Sequence, residues 1–451
     1  METLVILFRA ALGIAAILGI CWLLCPRRSE IDWRLVGGGV ALQILLAGVV
    51  LRVPGADAPV GWAADFFVAL LGFTDAGSRF VLGFLAEGPG FWESVNEALA
   101  DDAENGPVVR FGIIFAFRVL PTVIFFSALT SVLYYLGILQ KVVMAFAWLL
   151  QRSMRLSGSE SLAAAANVFI GQTEAPLVVK PFIKDMTRSE LLCLMTGGMA
   201  TIAGGVFGAY VSILGGPDPE QQRLFAKHLL TASLLSAPAA IVCAKLLLPQ
   251  SGKIETELRV SPDRMGENVF DAACRGTTQG LMLALNIAAM LITFLAFIAL
   301  FNFLAFGAGR ITGINEWIAV ATDGRFEGLS LELLAGLLFA PVAWLIGVEW
   351  GSLLDVGQLL GIKLVANEFV AYESLGRMIG DEVLTDPRAI IIATYALCGF
   401  ANFSSMGIQI GGIAVLAPER RGDLSALALR ALLGGTAACL LTAAVAAVFV
   451  R

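Results

Sequence analysis

The sequence predicts an all-α polytopic membrane protein with about eight transmembrane helices, two re-entrant hairpins and interfacial helices, arranged as an inverted repeat with unwound helices. Composition is the first reason: of 451 residues, 58% are hydrophobic and 15% are charged, whereas soluble domains carry roughly 25% charged residues. The second reason is a pair of glutamates, Glu174 and Glu368, inside apolar stretches. A carboxylate in hydrocarbon is costly and is kept mainly where it contacts a substrate, an ion or a partner charge. Both observations indicate a transporter with a binding site at mid-membrane depth.

Eight apolar runs are long enough to cross a bilayer, which takes on the order of 20 residues. They are Leu4–Leu24, Leu35–Leu51, Phe111–Leu139, Leu191–Leu214, Leu229–Leu248, Gly280–Phe303, Ala389–Ala417 and Leu424–Val450. Two further segments read as interfacial helices. The stretch Arg52–Val109 mixes Pro, Gly and acids with an amphipathic piece at Trp62–Leu85, which predicts a helix along the membrane surface. The segment Leu329–Val348 is apolar, but Pro341 interrupts it.

The distribution of charge predicts the orientation. Basic clusters alternate along the chain with acidic or neutral loops, and basic loops favour the cytoplasmic side. The clusters are Arg27-Arg28-Arg34, Arg152 to Arg155, Lys180 with Lys184 and Arg188, Lys253 to Arg275, and Arg420-Arg421. This assignment places both termini outside the cell membrane.

Other classes of protein find little support. The formal net charge of -6 gives no reason to expect binding to nucleic acid, and His228 is the only histidine. A Ser-His-Asp triad or a site with several His ligands is therefore not expected. Six of the seven cysteines lie in apolar runs and read as small buried hydrophobes. We expect no cofactor.

An internal repeat accounts for the interfacial segments. Ala-Trp-Leu occurs at 147–149, with Trp148 26 positions before Glu174, and again at 343–345, with Trp344 24 positions before Glu368. Each unit then continues into a glycine-interrupted apolar helix. The repeat divides the chain into a scaffold part at 1–140, a first inverted repeat at 141–250, a linker loop with a scaffold helix at 251–328, and a second inverted repeat at 329–451.

Each glutamate is expected at the tip of a re-entrant hairpin. Gly171 and Pro176 beside Glu174 favour a helix break, which leaves backbone groups free to contact something polar. We predict hairpins over Ser157–Ile183 and Glu349–Ile379. Three predicted crossings separate them, so they enter from opposite faces and meet near the membrane centre, where secondary transporters hold substrate.

Three segments resemble the signature motifs of the concentrative nucleoside transporter family. They are Gly171-Gln-Thr-Glu-Ala-Pro176, Asn367-Glu-Phe-Val-Ala-Tyr372 and Cys398-Gly-Phe-Ala-Asn-Phe-Ser-Ser405. The resemblance extends from about Arg110 to the C-terminus and matches the shorter bacterial form. It implies a homotrimer in the bacterial cytoplasmic (inner) membrane, in which a transport domain moves like an elevator against a scaffold domain. It also implies that nucleosides are carried inward down a cation gradient.

The residue chemistry fits a nucleoside, which has a hydroxyl-rich ribose and a flat base. An ionised carboxylate only accepts hydrogen bonds and so suits hydroxyl recognition. We expect Glu368, Asn402 and Ser405 to bind the ribose, with Glu174 contributing directly or through water. The remaining expected contacts are Gln172 and Thr173 at the base edge, and Phe400 and Val206 as an apolar wall.

Each of these assignments has a structural alternative. Glu174 or Glu368 could instead form a salt bridge with Lys180 or Lys363. The side chains of Gln172 and Thr173 could merely cap a hairpin tip. The pair Phe400 and Val206 could be ordinary packing.

The resemblance also implies a sodium site as the source of coupling. Positions matching Asn167 and Thr201 supply side-chain oxygens, and those matching Ile170 and Ile202 supply backbone carbonyls. The alternative for Asn167 and Thr201 is hydrogen bonding within their own helices. Proton coupling is the alternative for the ion. From other classes, a channel and an integral membrane enzyme with the two glutamates as acid and base remain the competing functions.

Overall fold

The computed structural model describes residues 2–86, 115–252, 257, 266–322 and 324–450, and in this part the chain is built of helices without β-strands. Three helices form its N-terminal part: α1 (Glu2–Leu23), α2 (Trp33–Arg52) and α3 (Ala58–Leu82). The Asp32 side chain caps α2 by accepting the backbone N–H groups of Arg34 and Leu35, which have no partner inside the helix. Next come α4 (Phe115–Tyr135) and, later in the chain, the 44-residue helix α12 (Val269–Thr312) with the short α13 (Ile314–Ala321).

Two runs of helices follow the same order. The first is α5 (Ile138–Met154), α6 (Gly158–Phe169), α7 (Ala175–Val178), α8 (Lys180–Ile183), α9 (Arg188–Ala200), α10 (Gly204–Gly215) and α11 (Pro219–Leu247). The second is α14 (Leu331–Leu345), α15 (Leu353–Val365), α16 (Glu368–Gly380), α17 (Pro387–Leu397), α18 (Phe403–Leu416) and α19 (Arg421–Phe449). Each run has an amphipathic or short apolar helix, a hairpin, a broken helix and a final helix of 29 residues.

The segments that could cross a membrane agree largely with the sequence. Eight helical segments in the described part are long and apolar enough, and seven of them coincide with predicted spans. The predicted span Ala389–Ala417 consists of two short helices, α17 and α18, separated at Cys398–Asn402, in agreement with the glycine-interrupted helix that the sequence predicts. The helix α14 continues through Pro341, so the expectation that this proline interrupts the segment was wrong; its 15 residues are nevertheless short for a crossing.

The eighth segment is α3, which the sequence placed along the membrane surface. Its length and composition would also allow a crossing. In the described part of the chain, three ion pairs join acidic residues at the start of α3 and within it to basic residues of α11 and α4. They are Asp57–Lys227 at 2.5 Å, Asp65–Arg223 at 2.6 Å and Asp75–Arg118 at 4.0 Å. Residues 87–109 of the predicted stretch, 111–114 of a predicted span and part of the basic cluster Lys253–Arg275 lie outside the described residues.

Buried charges hold the first turn of each hairpin. Glu160 in α6 pairs with Lys245 of α11, and both side chains are less than a tenth exposed. In the second hairpin, Asp355 of α15 is 2% exposed and pairs with Arg325. Removal of one partner from such a pair strands a buried charge and typically costs about 3–5 kcal/mol. The two hairpins are therefore fixed at their bases, which leaves their turns as the free ends.

The two broken helices cross each other at their breaks. The backbone N–H of Phe400 donates to the carbonyl of Thr201 at 3.4 Å. Gly399 has φ +146, and a Cβ atom there would lie 2.8 Å from Met199 O and 2.7 Å from Cys439 Sγ. Only glycine combines this backbone conformation with so close an approach. The crossing places the exposed backbone ends of α9, α10, α17 and α18 at one point in the fold.

Candidate functional site

The turn between α6 and α7 carries the first glutamate. α6 ends at Phe169, and the N–H of Ala175 donates to Gly171 O at 2.8 Å, which closes a tight turn. A Cβ atom at Gly171 would clash with the Glu174 carboxylate and lie 2.9 Å from Ala203. Glycine is therefore required for this turn to approach the break between α9 and α10.

The turn between α15 and α16 carries the second glutamate. Asn367 caps α16 by accepting the N–H of Val370 at 2.9 Å, which places Glu368 in the first helical position. The Glu368 side chain is 5% exposed. Its Oε1 accepts from the Tyr210 hydroxyl at 3.1 Å, and its Oε2 accepts from Asn402 Nδ2 at 2.9 Å.

The break between α17 and α18 supplies the amide that holds this carboxylate. Asn402 is the N-cap of α18, where its Oδ1 accepts the N–H of Ser405 at 2.9 Å and the hydroxyl of Ser404 at 2.7 Å. Because Asn402 Oδ1 accepts these two hydrogen bonds at the start of α18, Asn402 Nδ2 is oriented towards Glu368. Asn402 thereby couples the helix break to the second hairpin.

A continuous set of contacts joins the two hairpin turns. Gln172 Nε2 donates to Ser405 Oγ at 3.3 Å, and Gln409 Nε2 donates to Gln172 Oε1 at 3.1 Å. With the bonds of Asn402, this makes a buried cluster that runs from Gln172 through Ser405 and Asn402 to Glu368. The turns therefore lie close together, as the sequence predicts. The cluster consists of donors and acceptors that match the polar groups of a small neutral ligand.

The other expected substrate residues lie around this cluster in different settings. Thr173 is exposed at the hairpin tip, and Phe400 is half-buried at the break. Val206 is only 2% exposed, on the first turn of α10. Glu174 is half-buried and faces a separate cavity, between the first hairpin and helices α4 and α12. The structure thus brings together four of the eight expected residues and places Glu174 on another wall.

The residues expected at the sodium site meet at the break between α9 and α10. Asn167 is 1% exposed, and neither Oδ1 nor Nδ2 has a hydrogen-bond partner in the described part of the chain. A Cβ atom at Gly197 would lie 3.0 Å from Asn167 Nδ2, so the amide packs directly against α9. Ile170 and Ile202 both lie in non-helical backbone, and the Ile170 N–H closes α6 by donating to Ala166 O at 2.9 Å. Thr201 differs, since its hydroxyl donates to Gly197 O at 2.9 Å within its own helix.

Burying the Asn167 amide without a partner costs about 1–3 kcal/mol for each polar group. Such a group is retained where something else satisfies it. An amide oxygen, a hydroxyl oxygen and two free carbonyls are the oxygen ligands that a hard cation requires. The donor set at this break therefore fits a sodium ion.

Sequence reasoning missed Tyr210 and Gln409, which hold Glu368 and Gln172. The available signal was weak: both are polar groups on apolar helices that directly follow a break. The structural alternative for Glu368 is a salt bridge with Lys363. Lys363 Nζ donates to Ala396 O at 2.9 Å, and no ion pair joins it to Glu368 among the described residues.

These features define a class: a helical membrane transporter with two repeated halves, each with a hairpin and a broken helix whose turns meet in one polar cluster. Comparison with known proteins gives the family. Residues 12–85 and 228–447 match the N-terminal and C-terminal parts of the Na+ dependent nucleoside transporter, and residues 116–217 match a nucleoside recognition (Gate) domain. The chain belongs to the concentrative nucleoside transporter family, which consists of transporters and not enzymes.

Several relatives are similar over nearly the whole chain. An uncharacterized transporter of Haemophilus influenzae is 39% identical, with 97% of each chain covered. Sodium/nucleoside cotransporter 1 of Rattus norvegicus is 39% identical over 97% of this chain, which spans 63% of that longer protein. The structure of CNTnw in an inward-facing substrate-bound state has a TM-score of 0.84 at 35% identity, covering 98% of both chains. A CNTnw variant in an outward-facing state has a TM-score of 0.86 at 34% identity, covering 99% of both.

Proposed function

We propose that this nucleoside transporter is a sodium-coupled symporter that carries nucleosides into the cell by alternating access, with an elevator-like movement of the two repeats. The observation that carries the proposal is the buried cluster of Gln172, Ser405, Asn402 and Glu368 between the hairpin turns. A nucleoside entering this cluster exchanges protein–protein hydrogen bonds for bonds to its ribose and base. We assign Glu368, Asn402 and Ser405 to the ribose and Gln172 to the base edge.

The carboxylate of Glu368 suits this role because its partners are neutral. Tyr210 and Asn402 orient it without pairing it with a positive charge. Charge-assisted hydrogen bonds are about twice as strong as neutral ones, which offsets the desolvation of the ligand. We further propose that Thr173 contacts the base, that Phe400 and Val206 form an apolar wall, and that Glu174 contacts the substrate from the neighbouring cavity.

The proposal of sodium coupling rests on the side-chain amide of Asn167, which has no hydrogen-bond partner among the described residues and lies at the break beside Gln172. Gln172 packs against the same segment of α9, since a Cβ atom at Gly198 would lie 3.0 Å from Gln172 Cβ and 3.5 Å from Asn167 Oδ1. A sodium ion bound by Asn167, Ile170, Thr201 and Ile202 would fix the turn that presents Gln172. Ion binding and substrate binding would then stabilise the same conformation, and two ligands coupled in this way promote each other's binding reciprocally.

Uptake by purified protein in liposomes tests this function. A labelled nucleoside panel is offered with an inward sodium gradient, with a potassium gradient and with a proton gradient. We expect saturable accumulation that requires sodium and yields unmodified nucleoside inside. Accumulation driven only by the proton gradient would show that the coupling ion is the proton and not sodium. Non-saturable flux would indicate a channel, and altered products an enzyme.

The oligomeric state of the protein and its orientation in the membrane are proposed from its membership of the family and from the distribution of charge along the sequence. We propose a homotrimer in the bacterial cytoplasmic membrane, with both termini on the periplasmic side. Native mass spectrometry of the detergent-solubilised protein measures the subunit number. Protease accessibility of terminal tags in spheroplasts tests the orientation; protection of both tags in intact spheroplasts would reverse it.

A further inference from the structure

The cavity that faces Glu174 is lined on its opposite side by hydroxyl groups of α4. Ser127, Thr130 and Ser131 lie there together, and Tyr134 continues the same face one turn later. Their spacing of three and four residues places them along one side of the helix. We call Ser127, Thr130 and Ser131 the α4 hydroxyl stripe.

Close packing holds the stripe against both of its neighbours. On the α10 side, Cβ atoms at Gly204 and Gly205 would lie 3.5 Å from Thr130 Oγ1 and 3.8 Å from Ser127 Cβ. On the α12 side, a Cβ atom at Gly276 would lie 2.6 Å from Ser131 Oγ. Small residues on both neighbours therefore bring α4 up to the turn that carries Glu174.

Within the described residues, Ser127, Thr130 and Ser131 make no hydrogen bond to another protein atom. Several other hydroxyls in the apolar helices bond their own helix backbone. Thr122 of α4 donates to Val119 O at 2.6 Å, and Thr293 of α12 donates to Ala289 O at 2.8 Å. The stripe is thus directed at the cavity, where a ligand or water must satisfy it.

The two walls of the cavity restrict the chemistry of that ligand. A carboxylate such as Glu174 only accepts hydrogen bonds, whereas serine and threonine hydroxyls both donate and accept. A hydroxyl can bridge the two walls, because it can donate to Glu174 and at the same time accept from a stripe hydroxyl. The ribose of a nucleoside presents such groups.

We propose that the α4 hydroxyl stripe is the scaffold wall of the substrate path and hydrogen-bonds a ribose hydroxyl that Glu174 also binds. This inference rests on the proposed nucleoside transport and adds α4 to the specificity-determining elements. The stripe belongs to the 1–140 part, and Glu174 belongs to the moving repeat. Residues 127 to 131 span about 6 Å of helix. A ribose that moves with the repeat can therefore exchange its hydrogen bond from one stripe hydroxyl to the next.

The test compares two identical substitutions on α4. Thr130→Val removes a stripe hydroxyl with little change of shape, and Thr122→Val removes a hydroxyl that bonds its own helix. Liposome uptake is measured for a nucleoside and for its 2′-, 3′- and 5′-deoxy analogues. We expect Thr130→Val to lower kcat/KM for the full nucleoside by about fivefold, the value of one hydrogen bond. For Thr122→Val and Thr130→Ser, kcat/KM should remain within about twofold of the parent value, as expected for substitutions that remove no substrate contact.

Coupling to one ribose hydroxyl distinguishes contact from a general packing defect. For one deoxy analogue, Thr130→Val should cause no further loss, because that bond is already missing. Equal losses for all four ligands, or a loss no larger than that of Thr122→Val, would overturn the inference. If Thr130→Val does not fold, as judged by its melting temperature, Ser127→Ala provides the same comparison. A parent that transports nucleosides without this coupling refutes only the stripe; a parent that transports none refutes the proposed function and the stripe with it.

Discussion

The substitution Glu368→Gln is the most direct test of the substrate site. Glutamine keeps the shape of the side chain but replaces one acceptor oxygen by an NH2 donor. Both carboxylate oxygens face donors, Tyr210 at 3.1 Å and Asn402 at 2.9 Å. The amide oxygen can still accept from Asn402 while the new NH2 group donates to the Tyr210 hydroxyl, so the main loss is the negative charge.

The loss of one charge-assisted bond to a ribose hydroxyl is worth about 1.5–3 kcal/mol. Nucleoside binding should therefore weaken by roughly 10- to 100-fold. Calorimetric titration of purified parent and variant with a nucleoside measures this directly. Glu373→Gln is the matched control, because Glu373 lies on the same helix and pairs with Arg377 at 2.8 Å. We expect the control to bind like the parent.

A second ligand separates recognition from a structural role. A dideoxy analogue without the ribose hydroxyls should bind the parent weakly and lose little more affinity in Glu368→Gln, as in a double-mutant cycle. If Glu368 only supported the fold, the variant would weaken both ligands equally and melt at a lower temperature without ligand. Equal losses for both ligands would refute the assignment of Glu368 to the ribose.

Three further predictions follow from other contacts. Asn167→Ala should raise the sodium concentration for half-maximal uptake, with a smaller change in nucleoside affinity at saturating sodium; an unchanged sodium dependence would contradict the site. Gly399→Ala should lower stability by about 1–3 kcal/mol, since overpacking costs this much, and it should lower the melting temperature more than Gly407→Ala, where a Cβ atom meets nothing within 4 Å. The hydrogen bond and charge of Lys227 lower the pKa of Asp57, so this pair stabilises the fold above the ordinary carboxyl pKa and stops doing so as the pH falls through the lowered value. Asp57→Asn should therefore reduce the melting temperature at neutral pH but not at a pH below that lowered value, and an equal reduction at both would refute it.

Much of the fold could be predicted because it depends on local features. Apolar length identified seven of the eight candidate spans, since hydrocarbon thickness fixes the number of residues required. Capping residues also mark helix starts: Ser157 and Glu160 form a capping box at α6, as Thr187 and Glu190 do at α9. The interruption of the span Ala389–Ala417 was also predicted, from its glycine-containing segment, but the residues at which α17 ends and α18 begins came only from the structure.

The sequence by itself determined the membrane class, the repeat and the two glutamates, because buried charges in apolar runs are costly and therefore conspicuous. Tertiary structure decided how those groups are paired. Tyr210 lies 158 residues from Glu368, and Gln409 lies 237 residues from Gln172. No local pattern specifies such pairs, since they arise only when the two broken helices cross and bring their ends together. The α4 hydroxyl stripe was unrecognised for the same reason: whether a serine bonds its own helix or faces a cavity depends on the neighbours packed against it.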